Sequence, residues 1–232
     1  MQRPWIITID GPAGSGKSTL GELLARHLGY LYFDTGVMYR ALAWVALERA
    51  VDLQSAEMLI DLAHQTVIEV QSPHQDDGRP YTVYADQHDV TWAIRTPAVD
   101  RTVSLVARVA GVRREMVRQQ QVIGRRGQVV MVGRDIGTIV MPDAPLKIYL
   151  EASLDERARR RVKEQQERGL AVDIAQVRAD LARRDALDDH VLVAAPDAVV
   201  LSSDGVAPAD VLTRVLALFA DNTPEPRRGY GL

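Results

Sequence analysis

The chain has 232 residues, 47% of them hydrophobic and 25% charged, a composition that suits one sizeable buried core and argues against wholesale disorder. Its formal net charge of −3 gives no global basic field, so a sequence-independent grip on nucleic acid or an anionic membrane is not expected and any anion site must be local. Cysteine is absent, which excludes disulfides, thiolate catalysis and cysteine-ligated zinc. No apolar segment approaches the roughly 20 residues of a membrane span, and the opening MQRPWIITID lacks the pattern of a secretory signal, so the cytoplasm is the expected location.

Ile6 to Asp10 is a short apolar run that ends in a glycine-rich turn, and a helical pattern follows with Leu20, Leu23, Leu24 and Leu28 on one face. Leu31 to Phe33 reads as a second strand. Helices are predicted from about Met38 to Glu48 and, with Ser55 as its cap, on to His64. Between 65 and 95 the texture changes: Val67 to Val70 and Tyr81 to Tyr84 flank the turn-rich SPHQDDGRP and predict a small antiparallel insert. Thr96 to about Arg125 is helical in pattern, and Val129 to Val132, apolar without alternation, predicts a strand buried on both faces. Leu146 to Leu150 and Ala198 to Leu201 are two more such strands. Between them Leu154 to Arg168 and Ile174 to Leu187 form two charged helices that resemble a mobile cover. Ala207 to Phe219 closes as an amphipathic helix, and 223–232 is expected to be a disordered tail.

Gly11-Pro12-Ala13-Gly14-Ser15-Gly16-Lys17-Ser18 matches GxxxxGK[ST] in the required context, directly after a strand and opening a helix. The glycines let the backbone curl around an anion, the N–H groups at the helix start converge on it, and Lys17 adds a positive charge toward the β and γ oxygens. With Thr19 these residues form the expected ATP cradle, and the Ser18 hydroxyl is expected to hold Mg2+. The predicted fold is therefore α/β: a phosphate-loop NTPase-type parallel sheet flanked by helices, with a small antiparallel insert and a helical lid. Residues 1–64 and 96–222 make the core, 65–95 the insert and 154–188 the lid. The loop alone specifies an NTP and not what is done with it, although a GTPase would need an NKxD segment and the chain contains none.

Phe33-Asp34-Thr35-Gly36-Val37-Met38-Tyr39-Arg40 resembles the TG…R segment of nucleoside monophosphate kinases. Ile94-Arg95-Thr96, Ser104, Val112-Arg113-Arg114-Glu115, Gly133-Arg134-Asp135-Ile136-Gly137-Thr138 and Pro142-Asp143-Ala144-Pro145 follow. In this order, across residues 6 to about 150 and on through the lid to about 188, they resemble bacterial cytidylate kinases; adenylate kinases would show GFPR in place of GRD. The resemblance implies ATP-dependent phosphorylation of CMP and dCMP, with 65–95 as the NMP-binding insert. It implies that Arg40, Arg134 and Arg184 hold the acceptor phosphate with Thr35 and Tyr39 in the same acceptor segment, that Ser104, Arg113 and Asp135 read cytosine, and that Asp188 reaches the ribose. A carboxylate facing the exocyclic amine and an arginine facing the acceptors would suit cytosine, whereas uracil turns a carbonyl toward the carboxylate. Taken from the residues alone, Asp135 also suits a magnesium-supporting carboxylate, Ser104 a small packing residue and Arg40 a solvated helix position.

Lys17, Arg134, Arg157, Arg161 and Arg184 are the candidates for neutralising charge on the transferring group. Arg157 and Arg161, four apart, either close over that group or belong to a solvated face of i,i+4 pairs. No general base is required, because the acceptor phosphate has a second pKa of about 6 and is mostly ionised at neutral pH; none of the five histidines lies in a catalytic motif. Val191 stands where the family usually carries a further arginine, with Arg183 or His190 as the expected substitute. Small-molecule substrates and a monomer are expected. The other readings are a kinase for another acceptor, such as UMP or a coenzyme precursor, and a nucleotide-binding module without turnover.

Overall fold

The computed structural model describes residues 5–167, 169–188 and 191–220. β1 (Ile6–Asp10) leads through the glycine loop into α1 (Lys17–Leu28), β2 (Leu31–Asp34), α2 (Gly36–Glu48) and α3 (Ala56–Gln65), the last capped by Ser55, whose hydroxyl accepts from the Met58 N–H. The insert is β3 (Ile68–Gln71), β4 (Thr82–Ala85) and β5 (His88–Asp89). Then come α4 (Pro97–Ala107), α5 (Ala110–Gly124), β6 (Val129–Val132), a single π-type turn (Ile136–Val140), β7 (Leu146–Glu151), α6 (Leu154–Glu167), α7 (Ile174–Asp188), β8 (Val199–Ser202) and α8 (Pro208–Ala220). No helix among the described residues is long and apolar enough to cross a membrane.

The five strands predicted from unbroken apolar runs pair in parallel in the order β2-β6-β1-β7-β8. Along β1, β2, β6 and β7 helices cover both faces, so Ile7, Ile9, Phe33, Val130, Met131 and Ile148 are all inaccessible or nearly so, whereas the edge strand β8, expected to be buried like the others, leaves Val200 50% exposed. β1 lies between β6 and β7, and its last residues register with Val132 and Tyr149, so the carboxyl ends of β1, β2, β6 and β7 share one edge. In open α/β sheets that edge, where connections leave in opposite directions from a central strand, is where ligands lie.

Three further details depart from the sequence-based reading. On α1, Leu23 is only half-buried, and Gly21 occupies the packed face instead; a Cβ there would stand 2.5 Å from Val132 Cγ2, so the glycine lets the helix approach β6 closely. The stretch from Thr96 to Arg125 is two helices and not one, broken at Arg108 and Val109, because α4 packs on α2 while α5 packs on α3. The insert has a third strand, and its long turn is pinned by Arg79, only 7% exposed, which donates to Asp77 (2.8 Å) and Asp89 (2.5 Å). The expected tail at 223–232 lies outside the described residues.

Candidate active site

β1 delivers the chain to the edge of the sheet, and three glycines in the left-handed region, Gly11 (φ 143), Gly14 (φ 81) and Gly16 (φ 94), wrap it into the loop. At Gly11 a Cβ would sit 2.2 Å from the Leu150 carbonyl oxygen, so the turn against β7 requires glycine. α1 then starts on Gly16 with no side-chain cap, which leaves its first N–H groups to the loop's concavity. Lys17 Nζ donates to the Pro12 carbonyl at 2.6 Å. Burial and the neighbouring Arg134 push its pKa down to about 8, with Arg157 adding and Asp34 and Asp10 opposing.

Asp10, which the sequence reading passed over, ends β1 immediately before the loop and is 5% exposed. Its Oδ1 accepts from the Ile136 N–H at 2.9 Å and its Oδ2 from the Gly137 N–H at 2.7 Å. Burial pushes its pKa up to about 6 and the Asp135 charge adds, against those two hydrogen bonds and Lys17. Asp34 at the end of β2 accepts from the Gly36 N–H at 3.0 Å, and burial raises its pKa too, against Lys17, Arg40 and Arg95.

The acceptor-side candidates gather beside the loop. Arg113 pairs with Asp135 at 2.9 Å; burial raises the pKa of Tyr39, with Arg113 opposing and Asp135 adding. Arg134 pairs with Asp188. Desolvation and Arg134 lower the pKa of Arg184, with Arg161 and Arg40 adding and Asp188 opposing, so Arg40, Arg134, Arg184 and Asp188 form one charge cluster. Arg40 is anchored by the Ile94 carbonyl (3.1 Å) and Asp100 (2.7 Å), which argues against a merely solvated position. Thr35 is buried and donates to the Val132 carbonyl at 3.0 Å, so its hydroxyl ties β2 to β6. Ser104 is exposed on α4, which removes the packing alternative.

On the lid the two arginines part company. Arg157 is 5% exposed and holds Asp185 bidentately (3.0 and 2.5 Å) while Nη1 also donates to the Ala13 carbonyl of the loop at 3.1 Å. Arg161 is exposed and pairs with Glu164 at 2.7 Å. Asp185 was not singled out from sequence, nor was Arg160, which donates to the Ser203 hydroxyl at 3.0 Å and the Ser15 carbonyl at 3.3 Å. Arg160, Thr19, Leu150, Ser203, Val206 and Pro208 line a cavity of about 180 Å³ against the loop. Arg183 pairs with Asp180 at 2.9 Å on the exposed side, and Val191 is buried; His190 lies outside the described residues. A larger cavity, about 610 Å³, opens between α1 and the insert turn; of its lining charges, Arg26 pairs with Glu22 and Arg79 with Asp77.

The family model described as cytidylate kinase matches residues 7–221. The chain is 59% identical over 230 residues to a cytidylate kinase of Chloroflexus aggregans, covering 99% of this chain and 100% of that one. It is 57% identical over 222 residues to a cytidylate kinase of Roseiflexus castenholzii, covering 95% and 96%. Among solved structures, its fold is like that of an uncharacterized protein from Eubacterium ventriosum, with a TM-score of 0.51, 13% identity and coverage of 95% and 100%.

Proposed function

The chain belongs to the cytidylate kinase family, and from that premise we propose that it transfers the γ-phosphoryl group of ATP to CMP and dCMP, giving CDP and dCDP. The observation that carries the acceptor assignment is the Arg113–Asp135 pair standing beside the Arg40, Arg134 and Arg184 cluster on the strand edge that also holds the glycine loop. Opened by a cytosine, the pair offers a carboxylate to the exocyclic amine and a guanidinium to the ring acceptors, while the cluster takes the phosphate. Asp188 would exchange its pairing with Arg134 for the ribose.

The donor triphosphate would lie in the loop with its γ-phosphoryl pointing at the acceptor. Lys17 would exchange its contact with Pro12 for the phosphate oxygens. The Ser18 hydroxyl, in the first turn of α1 beside Lys17, would hold Mg2+, which at such sites takes one or two protein oxygens and completes its shell with phosphates and water. When bound, the ion would offset charge on the β and γ oxygens. The protein's own part is alignment and charge: Lys17, Arg134 and Arg184 face charge that spreads over the equatorial oxygens, and the ionised acceptor phosphate attacks in line without a general base. The lid, with Arg157 and Arg161, would close over the site and exclude water. We read it as a monomer in the cytoplasm that acts on small-molecule nucleotides, with no nucleic-acid partner, in keeping with the absence of a global basic field.

Coupled ADP release measured with CMP, dCMP, UMP and AMP tests this. The expected order is CMP and dCMP highest in kcat/KM, with UMP at least about tenfold lower because Asp135 would face a carbonyl. No monophosphate-dependent ADP release would overturn the assignment as an enzyme, and preference for AMP or UMP would overturn the acceptor.

A further inference from the structure

The geometry points to Asp10 as a positioning residue for the acceptor: its carboxylate clamps the turn that carries Arg134 and Asp135 onto the strand that carries the phosphate loop. The inference rests on the acceptor reading of those two residues and adds the element that sets their distance from the donor. Asp10 is the last residue of β1 and Gly11 the first of the loop, so whatever Asp10 holds is referred directly to the donor site. Both carboxylate oxygens are used, one on the Ile136 N–H and one on the Gly137 N–H, the two amides that follow Arg134-Asp135. The rest of the turn is fitted to this contact. A Cβ at Gly137 would lie 3.0 Å from Thr8 Oγ1, 3.2 Å from Lys147 Cδ and 3.3 Å from Asp10 Oδ2, so the backbone rests directly on β1 and β7. At Gly133 a Cβ would meet Ile136 Cδ1 at 2.5 Å and Thr35 Oγ1 at 2.8 Å, so the same segment is wedged against the end of β2.

A carboxylate costs more to bury than a neutral amide, and the raised pKa of Asp10 reflects that cost. For filling space alone an asparagine would serve. What asparagine cannot supply is two acceptors, since one of its two terminal atoms is an NH₂ group that would face a backbone N–H. Asp10 therefore gives up stability for a two-point hold on the turn, an arrangement that makes sense where the position of the following side chains matters.

The test is Asp10→Asn in the full chain, with kcat and KM for CMP, UMP and ATP, the thermal midpoint at pH 7.5, and amide exchange of Ile136 and Gly137. The expected result is a thermal midpoint equal to or above that of the parent and an ATP KM within about twofold. With these go a fall of at least about tenfold in kcat/KM for CMP, a smaller CMP to UMP ratio and faster exchange at the two amides. An unchanged CMP to UMP ratio, with activity lost only in proportion to unfolded protein, would overturn the inference and leave Asp10 a structural residue. If the Asn variant does not fold, Asp10→Glu is read the same way, and rapid exchange of the Ile136 and Gly137 amides in the parent would by itself overturn the clamp. A parent enzyme that does not prefer CMP to UMP would instead mark failure of the acceptor reading.

Discussion

Lys17 lies against the backbone of its own loop, 2.6 Å from the Pro12 carbonyl, and takes no part in the apolar face of α1, which is built from Leu20, Gly21, Leu24, Ala25 and Leu28. Lys17→Ala should therefore lower kcat by roughly 10²–10³ or more while the thermal midpoint stays within a few degrees. Near-normal turnover in that variant would remove the loop from the chemistry. Arg113 and Asp135 are each other's partners in the absence of an acceptor, so Asp135→Ala and Arg113→Met should each shrink the preference for CMP over UMP several-fold, read as a ratio of kcat/KM values. A preserved ratio combined with a lost Mg2+ requirement would assign Asp135 to the metal instead. These roles were readable because the residue types sit in short segments. Asp10 was as visible in the sequence, a carboxylate closing an apolar strand, but its two amide partners lie 126 and 127 positions away.

At the scale of elements, the lid is nearly devoid of apolar packing. Ala158, Val177 and Leu181 make a small cluster of their own with Ala13, Leu154, Val162 and Val172 at its margin, so the Arg157–Asp185 pair has an outsized part in holding α6 against α7 and both against the loop. Asp185→Ala would leave the Arg157 guanidinium buried without its carboxylate, at a cost of up to about 3 kcal/mol given that Asp185 is partly exposed. Hydrogen exchange should quicken across 154–167 and 174–188 and stay unchanged in β1 and β6, and ATP hydrolysis without acceptor should rise as water enters. Exchange equally fast in all elements would mean that the lid is not a separate unit. The two lid helices were legible because charge and length mark them; the pairing between them was not, since it joins positions 28 apart across a turn.

For the whole molecule, Asp10 and the half-buried Asp34 at the strand ends, both with raised pKa, oppose folding at neutral pH. The folded pKa of Asp10, about 6, stands above its ordinary 3.8, so between these values the folded state holds a proton that the unfolded chain has released. The contribution of Asp10 to stability is thus fully present below about pH 4 and is lost as pH rises through 6, by roughly 2–3 kcal/mol at most. Other carboxylates, among them Glu115, Asp89 and Asp197, have lowered pKa values and act in the opposite sense, so the measurable quantity is the difference between variant and parent. Urea unfolding from pH 4 to 7 should show Asp10→Asn gaining on the parent as pH rises; parallel curves would contradict the raised pKa. The sequence by itself determined the phosphate loop and the sheet's buried strands, because loop chemistry resides in eight consecutive residues and a strand covered on both faces needs apolar side chains of both parities. Only the tertiary structure decided which charges meet: Asp10 with the turn after β6, Arg134 with Asp188, Arg157 with Asp185. Those meetings depend on the strand order β2-β6-β1-β7-β8 and on where each helix returns to the sheet. No local segment encodes that order, since it is selected by the burial of all the faces together.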